Sequence, residues 1–239
     1  MIQSRPVRML LLVLLACCVM DSASAAGQEV ANGPSPRASA MADAGLARLG
    51  RPYAANTLIG SATRPEQLVC REDSLDCMTF LEVCAAATAD TGFCEGLQAW
   101  RYADARVDWS KRLHFFSDWA VAHPELEDIS ARLPGAQLRN KVLNQKSDGG
   151  QWLPGLGTQE RTLTRVPPSA ALLDSLRTGD LVGFWNDAAG LDVSHTGMIV
   201  RRDGEVLLLH ASSLKHRVIL EPLVAHSKWK NGLIVQRFR

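Results

Sequence analysis

The run CMTFLEVCAAATA, residues Cys77–Ala89, predicts a helix, and the segment 90–92 that comes after it predicts the helix end. Cys77 stands in the first turn, directly after Asp76. At this position the backbone N–H groups have no helical partner and the helix dipole favours negative charge. The setting therefore favours a thiolate, which makes Cys77 a candidate nucleophile. Cys84 lies two turns further on the same face and is expected to be a buried apolar side chain.

The residues on either side of this helix predict a helical first part of the domain. A short amphipathic helix is expected at Ala40–Leu49, and another helix is expected at Asp108–Ala122. The stretch 123–175 is weakly patterned, with one short helix expected near Ser169–Leu176. The sequence therefore predicts that residues 39–122 are mainly helical.

The last part of the chain predicts strands. Asp203 and Gly204 form a hairpin turn signal between two of them. The expected strands are Asp180–Trp185, His195–Arg201, Glu205–Ala211, Val218–Glu221 and Leu233–Phe238. Helices followed by an antiparallel meander predict an α+β domain, with the cysteine-bearing helix packed on an antiparallel sheet.

Two histidines in these strands are the candidate partners of a cysteine nucleophile, since a thiol needs a base and the base needs an orienting group. His195 opens a strand directly after a loop, and His210 lies near the end of the next strand. The turn between the strands places His195 opposite Ala211–Ser212, so His210 falls within one or two positions of it. We therefore expect His195 to be the base and His210 to orient it.

The remaining histidines are expected to be structural: His114, His123, His216 and His226. A zinc site of Cys77, His195 and His210 is an alternative, because cysteine and histidine are good zinc ligands. No close ligand pair accompanies these residues, so we favour the interpretation without a metal.

Four cysteines remain once Cys17 and Cys18 are assigned to the leader: Cys70, Cys77, Cys84 and Cys94. In an exported protein they could form two disulfides. If Cys77 is free, one disulfide can still form among the other three. Cys70 and Cys94 flank the helix and would serve as a staple, but the spacing leaves the pairing open.

The N-terminus has the three parts of an export signal, which we assign to residues 1–26. Basic residues precede the apolar run Met9–Met20, and small residues come after it. Cys17 lies in a lipobox-like context, so lipid anchoring through Cys17 is the alternative to soluble export. Both place the mature domain outside the cytoplasm, in the periplasm. Residues 27–41 are expected to be a flexible lead-in, and residues 42–239 the domain.

The charge balance argues against one class of partner. The chain has 26 Lys and Arg against 25 Asp and Glu, so it lacks the basic excess that is typical of nucleic-acid binding. With 46% hydrophobic residues, its composition is that of an ordinary globular protein, expected to be a monomer.

These motifs together resemble the NlpC-type papain-like cysteine peptidases of bacterial cell walls. The similar elements are Gly50–Tyr53 before the nucleophile, Asp76-Cys77 at a helix start, Ser194–Met198 at a strand start and Leu209–Ser212 at the end of the next. A closer resemblance is to the N-acetylmuramoyl-L-alanine amidase-like subfamily. Six segments carry it in the right order: Tyr53–Leu58, Leu75–Glu82, Ser110–Trp119, Thr178–Val182, Gly190–Gly197 and Leu208–Ser213.

The resemblance implies a papain-like α+β fold and hydrolysis of the amide between N-acetylmuramic acid and L-alanine in peptidoglycan fragments. It implies Cys77 as the nucleophile, His195 as the base and His210 as the orienting residue. Tyr53 would lie beside the thiolate and assist the oxyanion. No cofactor and no metal are expected.

Further residues are candidates for substrate binding. Asp76 and Ser194 adjoin the expected nucleophile and base, while Arg112 and Trp119 could bind the sugar hydroxyls and carboxylates of a muropeptide, as could Arg101. The alternatives are a solvated helix face for Arg112 and a core position for Trp119. The middle of the chain, including Trp152, is expected to form one side of the cleft. It would limit the size of the cleft and so favour small soluble fragments as substrates over the intact cell wall.

Two other functions remain open on the sequence. One is a D,L-endopeptidase that cuts the stem peptide after γ-D-glutamate, which the wider superfamily implies. The other is an exported binding protein with an inactive site, against which the intact Cys77, His195 and His210 argue.

Overall fold

The computed structural model describes Met1 and residues 33–239. Apart from Met1, the predicted export segment and Cys17 lie outside the described residues, as does the lead-in up to residue 32. Within residues 33–239, none of the helices has the length and apolar character that a bilayer span requires. The folded unit spans Pro34–Arg239.

Five α-helices lie within this unit: α1 Pro36–Leu46, α2 Cys77–Ala86, α3 Phe93–Arg101, α4 Trp119–Ala122 and α5 Ala170–Ser175. The strands are β1 Ile59–Ser61, β2 Arg64–Gln67, β3 Leu126–Asp128, β4 Gln137–Leu143, β5 Gln159–Arg165, β6 Leu181–Trp185, β7 Val193–Arg202, β8 Glu205–Ser212, β9 Arg217–Pro222 and β10 Leu233–Phe238.

One six-stranded sheet organises the unit, in the order β3-β10-β6-β7-β8-β9. Its neighbouring strands are antiparallel throughout. Two further two-stranded sheets are formed by β1 with β2 and by β4 with β5. The mixed class with an antiparallel sheet is therefore confirmed.

The predicted strands of the C-terminal part are all present within two residues of their expected bounds. The hairpin between β7 and β8 turns at Asp203 and Gly204, whose φ angles are 52° and 80°. Positive φ at both central residues is what a two-residue turn requires for strands of right-handed twist. This turn sets the register that brings the two histidine-bearing strand ends together.

Helix α1 begins at Pro36, earlier than the predicted Ala40. The Ser35 hydroxyl accepts a hydrogen bond from the Ala38 N–H at 3.3 Å, and proline suits the first helical position. The predicted lead-in is therefore wrong over residues 36–41, which are helical. The helix also approaches the sheet closely at Gly45. A Cβ atom added there would lie only 2.8 Å from the side chain of Leu209, so the small residue permits the approach.

Helix α2 begins at Cys77 as predicted and ends at Ala86, three residues before the expected end. Asp76 caps it: one carboxylate oxygen accepts from the N–H groups of Met78 at 3.0 Å and Thr79 at 2.8 Å. The Thr79 hydroxyl in turn accepts from the Asp76 N–H at 2.8 Å, which completes a capping box. The cap fixes the residue at which the helix starts, and so the position of Cys77.

The helix predicted at Asp108–Ala122 is wrong. The segment holds two 3₁₀ turns, Trp109–Lys111 and Phe116–Asp118, followed by α4. Between the turns the backbone is extended at Arg112 and Phe115, with ψ of 134° and 144°. Arg112 bridges to Tyr102 and Phe115 is buried, so tertiary contacts outweigh the helical pattern.

Several other elements were not predicted. They are α3, β3, the β1–β2 hairpin within the part that was expected to be mainly helical, and the β4–β5 hairpin in the weakly patterned middle. Both strands of this hairpin keep most side chains partly or fully exposed, so they lack the apolar alternation that marks a strand with one buried face. The helix predicted near Ser169–Leu176 is confirmed as α5.

The sheet has an apolar cluster on each side. Phe80 and Leu81 of α2 belong to the same cluster as Met198 of β7 and Leu209 of β8. Ile199 of β7 and Leu208 of β8, which point to the opposite side of the sheet, belong to the second cluster. The helix that begins at Cys77 thus packs on the sheet as predicted, with its buried face fixed by these contacts.

Cys70 and Cys94 form a disulfide, and their Cα atoms are 5.4 Å apart. It joins the segment before α2 to the first turn of α3. Cys77 and Cys84 are free, and Cys84 is buried. Of the pairings that the sequence left open, the structure contains Cys70–Cys94, whose two cysteines flank α2 in the sequence.

Candidate active site

A cavity of about 340 Å³ brings the start of α2 together with the start of β7. It is lined by Cys77 and Met78, by residues 114–116, by Trp152 and Leu153, and by residues 191–196. Three larger cavities, of about 410 to 680 Å³, have no cysteine or histidine among the described residues of their walls. Because it contains both Cys77 and His195, we place the candidate site in the smaller cavity.

Thr196 ties the first turn of α2 to β7. Its hydroxyl donates a hydrogen bond of 2.8 Å to the carbonyl oxygen of Cys77. His195, one residue earlier on β7, and Cys77 therefore belong to segments that are held together directly, and both line the cavity.

The Cys77 thiol holds its proton more tightly than an ordinary cysteine. Burial raises its pKa, as does the nearby Asp76 carboxylate, whereas hydrogen bonding with Thr196 and the charge of Lys228 lower the pKa by less. Burial and the Asp76 carboxylate therefore oppose the thiolate that the helix start favours. A base must take the proton when Cys77 reacts.

A chain of hydrogen bonds runs behind the cavity from His195. Its Nε2 lies 2.7 Å from Nδ1 of His210, and Nε2 of His210 lies 3.2 Å from Oε1 of Glu221. The same oxygen lies 2.8 Å from Nδ1 of His226. The predicted pairing of His195 with His210 is confirmed.

Proton positions follow from the carboxylate at the end of this chain, which can only accept. Nε2 of His210 must then donate to Glu221, so Nδ1 of His210 accepts from Nε2 of His195. A neutral His195 in this tautomer has its lone pair on Nδ1. That nitrogen is the one free to accept a proton.

Both histidines are neutral at physiological pH. Burial lowers the pKa of His195 to about 2, and electrostatic repulsion of a protonated ring by His210, His226 and Lys228 acts in the same direction. Burial and His226 lower the pKa of His210 to about 4, although Glu221 acts in the opposite direction. The resting pair is thus a thiol and a neutral imidazole.

Tyr53 lies near Cys77. Its backbone bridges to Leu75, two residues before Cys77. Burial raises the pKa of its phenol, and the charges of Cys77 and Asp76 raise it further. The phenol therefore remains protonated at neutral pH and is able to donate a hydrogen bond.

Three residues near the site were not predicted: Glu221, His226 and Lys228. Glu221 lies two residues beyond Ile219, the strand partner of His210, so alternation along β9 could have placed it on the histidine face. His226 stacks on His195, with ring centroids 5.1 Å apart. His226 and Lys228 come after β9 in irregular chain, where no periodic signal exists.

Lys228 donates a hydrogen bond of 2.8 Å to the carbonyl of Ser194. Ser194 itself lines the cavity, which agrees with its predicted place beside the base. Asp76 has a structural role as the cap of α2. Contact of either residue with substrate stays a prediction.

The two arginines predicted to bind substrate are engaged in buried ion pairs. Arg112 pairs with Glu66, with its Nε 2.8 Å from Oε1, and the Glu66 side chain is only 2% exposed. Arg101 pairs with the buried Glu82 at 2.8 Å. Neither lines the cavity, so their positions contradict the predicted contacts. The Arg101 pair instead joins α3 to α2, and the Arg112 pair joins the chain after α3 to β2.

Trp119 is fully buried and packs against Trp100, with ring centroids 5.5 Å apart. Its predicted contact with substrate is therefore wrong, and its alternative as a core residue is correct. Trp152 instead is 43% exposed and lines the cavity, as the predicted wall requires. Its indole N–H donates to the Ala189 carbonyl at 2.8 Å, which fixes the ring.

The zinc set considered from the sequence, Cys77 with His195 and His210, is not brought together as three converging ligands. Among the described residues, the only three side chains whose ligand atoms lie within 4.8 Å of one another are His210, Glu221 and His226.

Fold and cavity together define a mixed α/β protein with a cysteine and a hydrogen-bonded histidine at one site. The family described as AmiA-like, N-acetylmuramoyl-L-alanine amidase-like, matches residues 43–233. The chain belongs to this family.

Solved structures agree with this membership. An N-acetylmuramoyl-L-alanine amidase from Bacteroides uniformis is 27% identical, with a TM-score of 0.68 over 85% of this chain and 99% of that one. A Bacteroides fragilis protein described as a candidate xylanase is 28% identical, with a TM-score of 0.64 over 82% and 99%. A Legionella pneumophila protein at 19% identity shows the same fold, with a TM-score of 0.69 over 90% and 96%. Comparison with curated proteins found no match.

Proposed function

We propose that this protein is a papain-like cysteine amidase that hydrolyses the bond between N-acetylmuramic acid and L-alanine in peptidoglycan fragments. One observation carries the proposal: Cys77 and His195 line the same cavity, and His195 is hydrogen-bonded to His210. Membership of an amidase-like family and a 27% identical amidase of the same fold support the choice of bond.

The reaction begins when Cys77 attacks the lactyl carbonyl and its proton passes to Nδ1 of His195. The backbone N–H of Cys77, which the helix itself cannot satisfy, and the Tyr53 hydroxyl donate to the oxyanion. Such donors each lower the barrier by roughly 3–4 kcal/mol. His195 then protonates the nitrogen of L-alanine as the C–N bond breaks, leaving a thioester.

Water completes the cycle. It adds to the thioester and gives up a proton to His195, after which the C–S bond breaks. The products are the muramic acid carboxylate and the regenerated thiol. Throughout, His210 and Glu221 hold the His195 ring and its tautomer, so that Nδ1 remains the proton acceptor.

The walls of the cavity favour small substrates. Trp152 and Leu153 rise from the segment between β4 and β5 and close one side of it. A soluble muropeptide fits such a recess more readily than a strand of the intact wall. Activity on intact sacculi equal to that on free muropeptides would contradict this preference.

The chemistry of the cavity does not favour glycoside hydrolysis. That reaction usually needs two carboxylates flanking the bond. Asp192 is the one acidic residue lining the cavity in the described part of the chain, and it is 2% exposed. One of its oxygens accepts from the Ser117 N–H at 2.8 Å and the other from its neighbour's N–H at 2.7 Å.

The setting we propose is the periplasm, reached through the signal at residues 1–26, with the protein either soluble or anchored through a lipidated Cys17. It would act there as a monomer on muropeptides, without nucleic-acid partners.

Digestion of a defined muropeptide, followed by mass spectrometry, tests the function. We expect wild type to release the free sugar and the intact stem peptide, and Cys77→Ala to release neither while retaining the wild-type circular dichroism spectrum. A free dipeptide product would show the endopeptidase instead. An inactive wild type whose Cys77 does not react with thiol reagents would show a binding protein.

A further inference from the structure

We propose that His210, Glu221 and His226 form a Zn²⁺ site behind the catalytic cavity, and that zinc bound there inhibits the enzyme. The inhibition rests on the proposed function, whereas the binding does not. The site is separate from the cavity, because none of these three residues lines it.

The three side chains already converge on one point. One ligand atom from each lies within 4.8 Å of the others. A single oxygen of Glu221 contacts Nε2 of His210 at 3.2 Å and Nδ1 of His226 at 2.8 Å. Two imidazoles and one carboxylate are a common donor set for zinc, with bonds of about 2.0–2.2 Å.

The burial of the two histidine side chains favours stable binding of an ion over a brief surface contact. The side chains of His210 and His226 are 1% and 10% exposed. Glu221 is 26% exposed, so the site has access to solvent on the side of its carboxylate. Nε2 of His226 is buried without a hydrogen-bond partner among the described residues. The ring is therefore not committed to its present tautomer by a second bond.

Zinc at this site would reverse the hydrogen bond between the two catalytic histidines. A neutral His210 that binds the ion through Nε2 must move its proton to Nδ1. It then donates to Nε2 of His195, which must move its own proton to Nδ1. Each ring keeps one proton, so no charge is gained or lost on the imidazoles.

The consequence falls on the base. With a proton on Nδ1, His195 has no lone pair there to accept the proton of Cys77. Turnover would stop although the ion touches neither residue. Direct zinc binding to the thiolate would also inhibit, so the experiment must separate the two positions.

Cobalt titration of the full chain, with the Cys70–Cys94 disulfide intact and bound metal first removed by a chelator, distinguishes the two positions. Co²⁺ substitutes for zinc and reports its ligands by absorption. We expect visible d–d bands without a thiolate charge-transfer band, and competition by Zn²⁺. Cys77→Ala should bind as wild type does, as should His216→Asn, which removes an exposed histidine elsewhere.

Removal of one ligand should weaken cobalt binding. We expect Glu221→Gln and His226→Gln each to weaken Co²⁺ binding at least about tenfold while keeping the wild-type circular dichroism spectrum. A charge-transfer band that disappears in Cys77→Ala would overturn the proposal, as would unchanged binding in both ligand variants.

Turnover assays then test the inhibition. Micromolar Zn²⁺ should suppress muropeptide cleavage by wild type, with recovery on adding a chelator, and the residual activity of His226→Gln should be insensitive to zinc. Equal suppression of His226→Gln would contradict the inhibitory site. If the chain binds cobalt as expected but never cleaves muropeptides, the metal site stands and the proposed function fails.

Discussion

Cys77 combines two opposing influences at the level of a single residue. The helix start favours a thiolate, while burial and Asp76 raise the pKa of the thiol. His195, whose pKa is lowered to about 2, is not protonated near neutral pH and cannot form an ion pair with the sulfur at rest. The enzyme we propose therefore activates its nucleophile only as the proton moves to His195.

The pH dependence of alkylation tests this resting state. A raised pKa keeps the thiol protonated to higher pH, so the rate of iodoacetamide reaction at Cys77 should still rise above the ordinary cysteine value of about 8.5. Cys77→Ala provides the control, because the other free cysteine of the described chain, Cys84, is buried. A rate that is already constant below neutral pH would reveal a preformed thiolate and contradict this description.

The residues of the candidate site differ in how far the sequence could predict them. Cys77 follows from a capped helix, and the pairing of His195 with His210 follows from one hairpin turn. These are local signals. Glu221 and His226 reach the same cluster from β9 and the irregular chain after it, so their place depends on tertiary packing that no local pattern encodes.

At the scale of elements, strands rich in buried apolar residues and the capped helix were predictable, while segments shaped by polar contacts were not. The β4–β5 hairpin lacks a buried face, and residues 108–122 are broken by the bridge between Arg112 and Tyr102. Arg112 was a candidate substrate contact because of its charge, but the sequence could not show that its guanidinium forms an ion pair with Glu66.

Trp152 lies between β4 and β5, the hairpin that was not predicted, and lines the cavity. We expect Trp152→Ala to raise KM for a muropeptide about two- to tenfold with little change in kcat, since aromatic packing contributes about 0.5–1.5 kcal/mol. The matched control is Leu138→Ala on the same hairpin, which is 67% exposed and does not line the cavity. Equal KM values for both variants would remove the hairpin from substrate binding.

At the scale of the whole molecule, the class of fold was predictable because the helix that begins at Cys77 lies in the first half of the chain and five of the six strands of the main sheet lie together in the last part. The strand order, in which β10 returns to pair with β6 and β3, was not predictable. That order arises from contacts between residues far apart in the chain, which no short window of sequence contains.

The disulfide acts at this scale, since it restricts the unfolded chain. Cys70 and Cys94 are separated by 24 positions, and closing a loop of this size contributes about 3 kcal/mol to the free energy of unfolding. We expect the double variant Cys70→Ser/Cys94→Ser to melt at a lower temperature but to keep its activity well below that temperature. Dithiothreitol should lower the melting temperature of wild type and leave the variant unchanged. A melting temperature equal to that of wild type would show that the bond adds no stability.

Intact-protein mass spectrometry of an acid-quenched reaction tests the nucleophile most directly. Mixed with a muropeptide, wild type should gain the mass of the muramoyl acyl group, and proteolysis should locate it on Cys77. An acyl group on another residue, or product formation by Cys77→Ala at the wild-type rate, would contradict the assignment of Cys77 as the nucleophile.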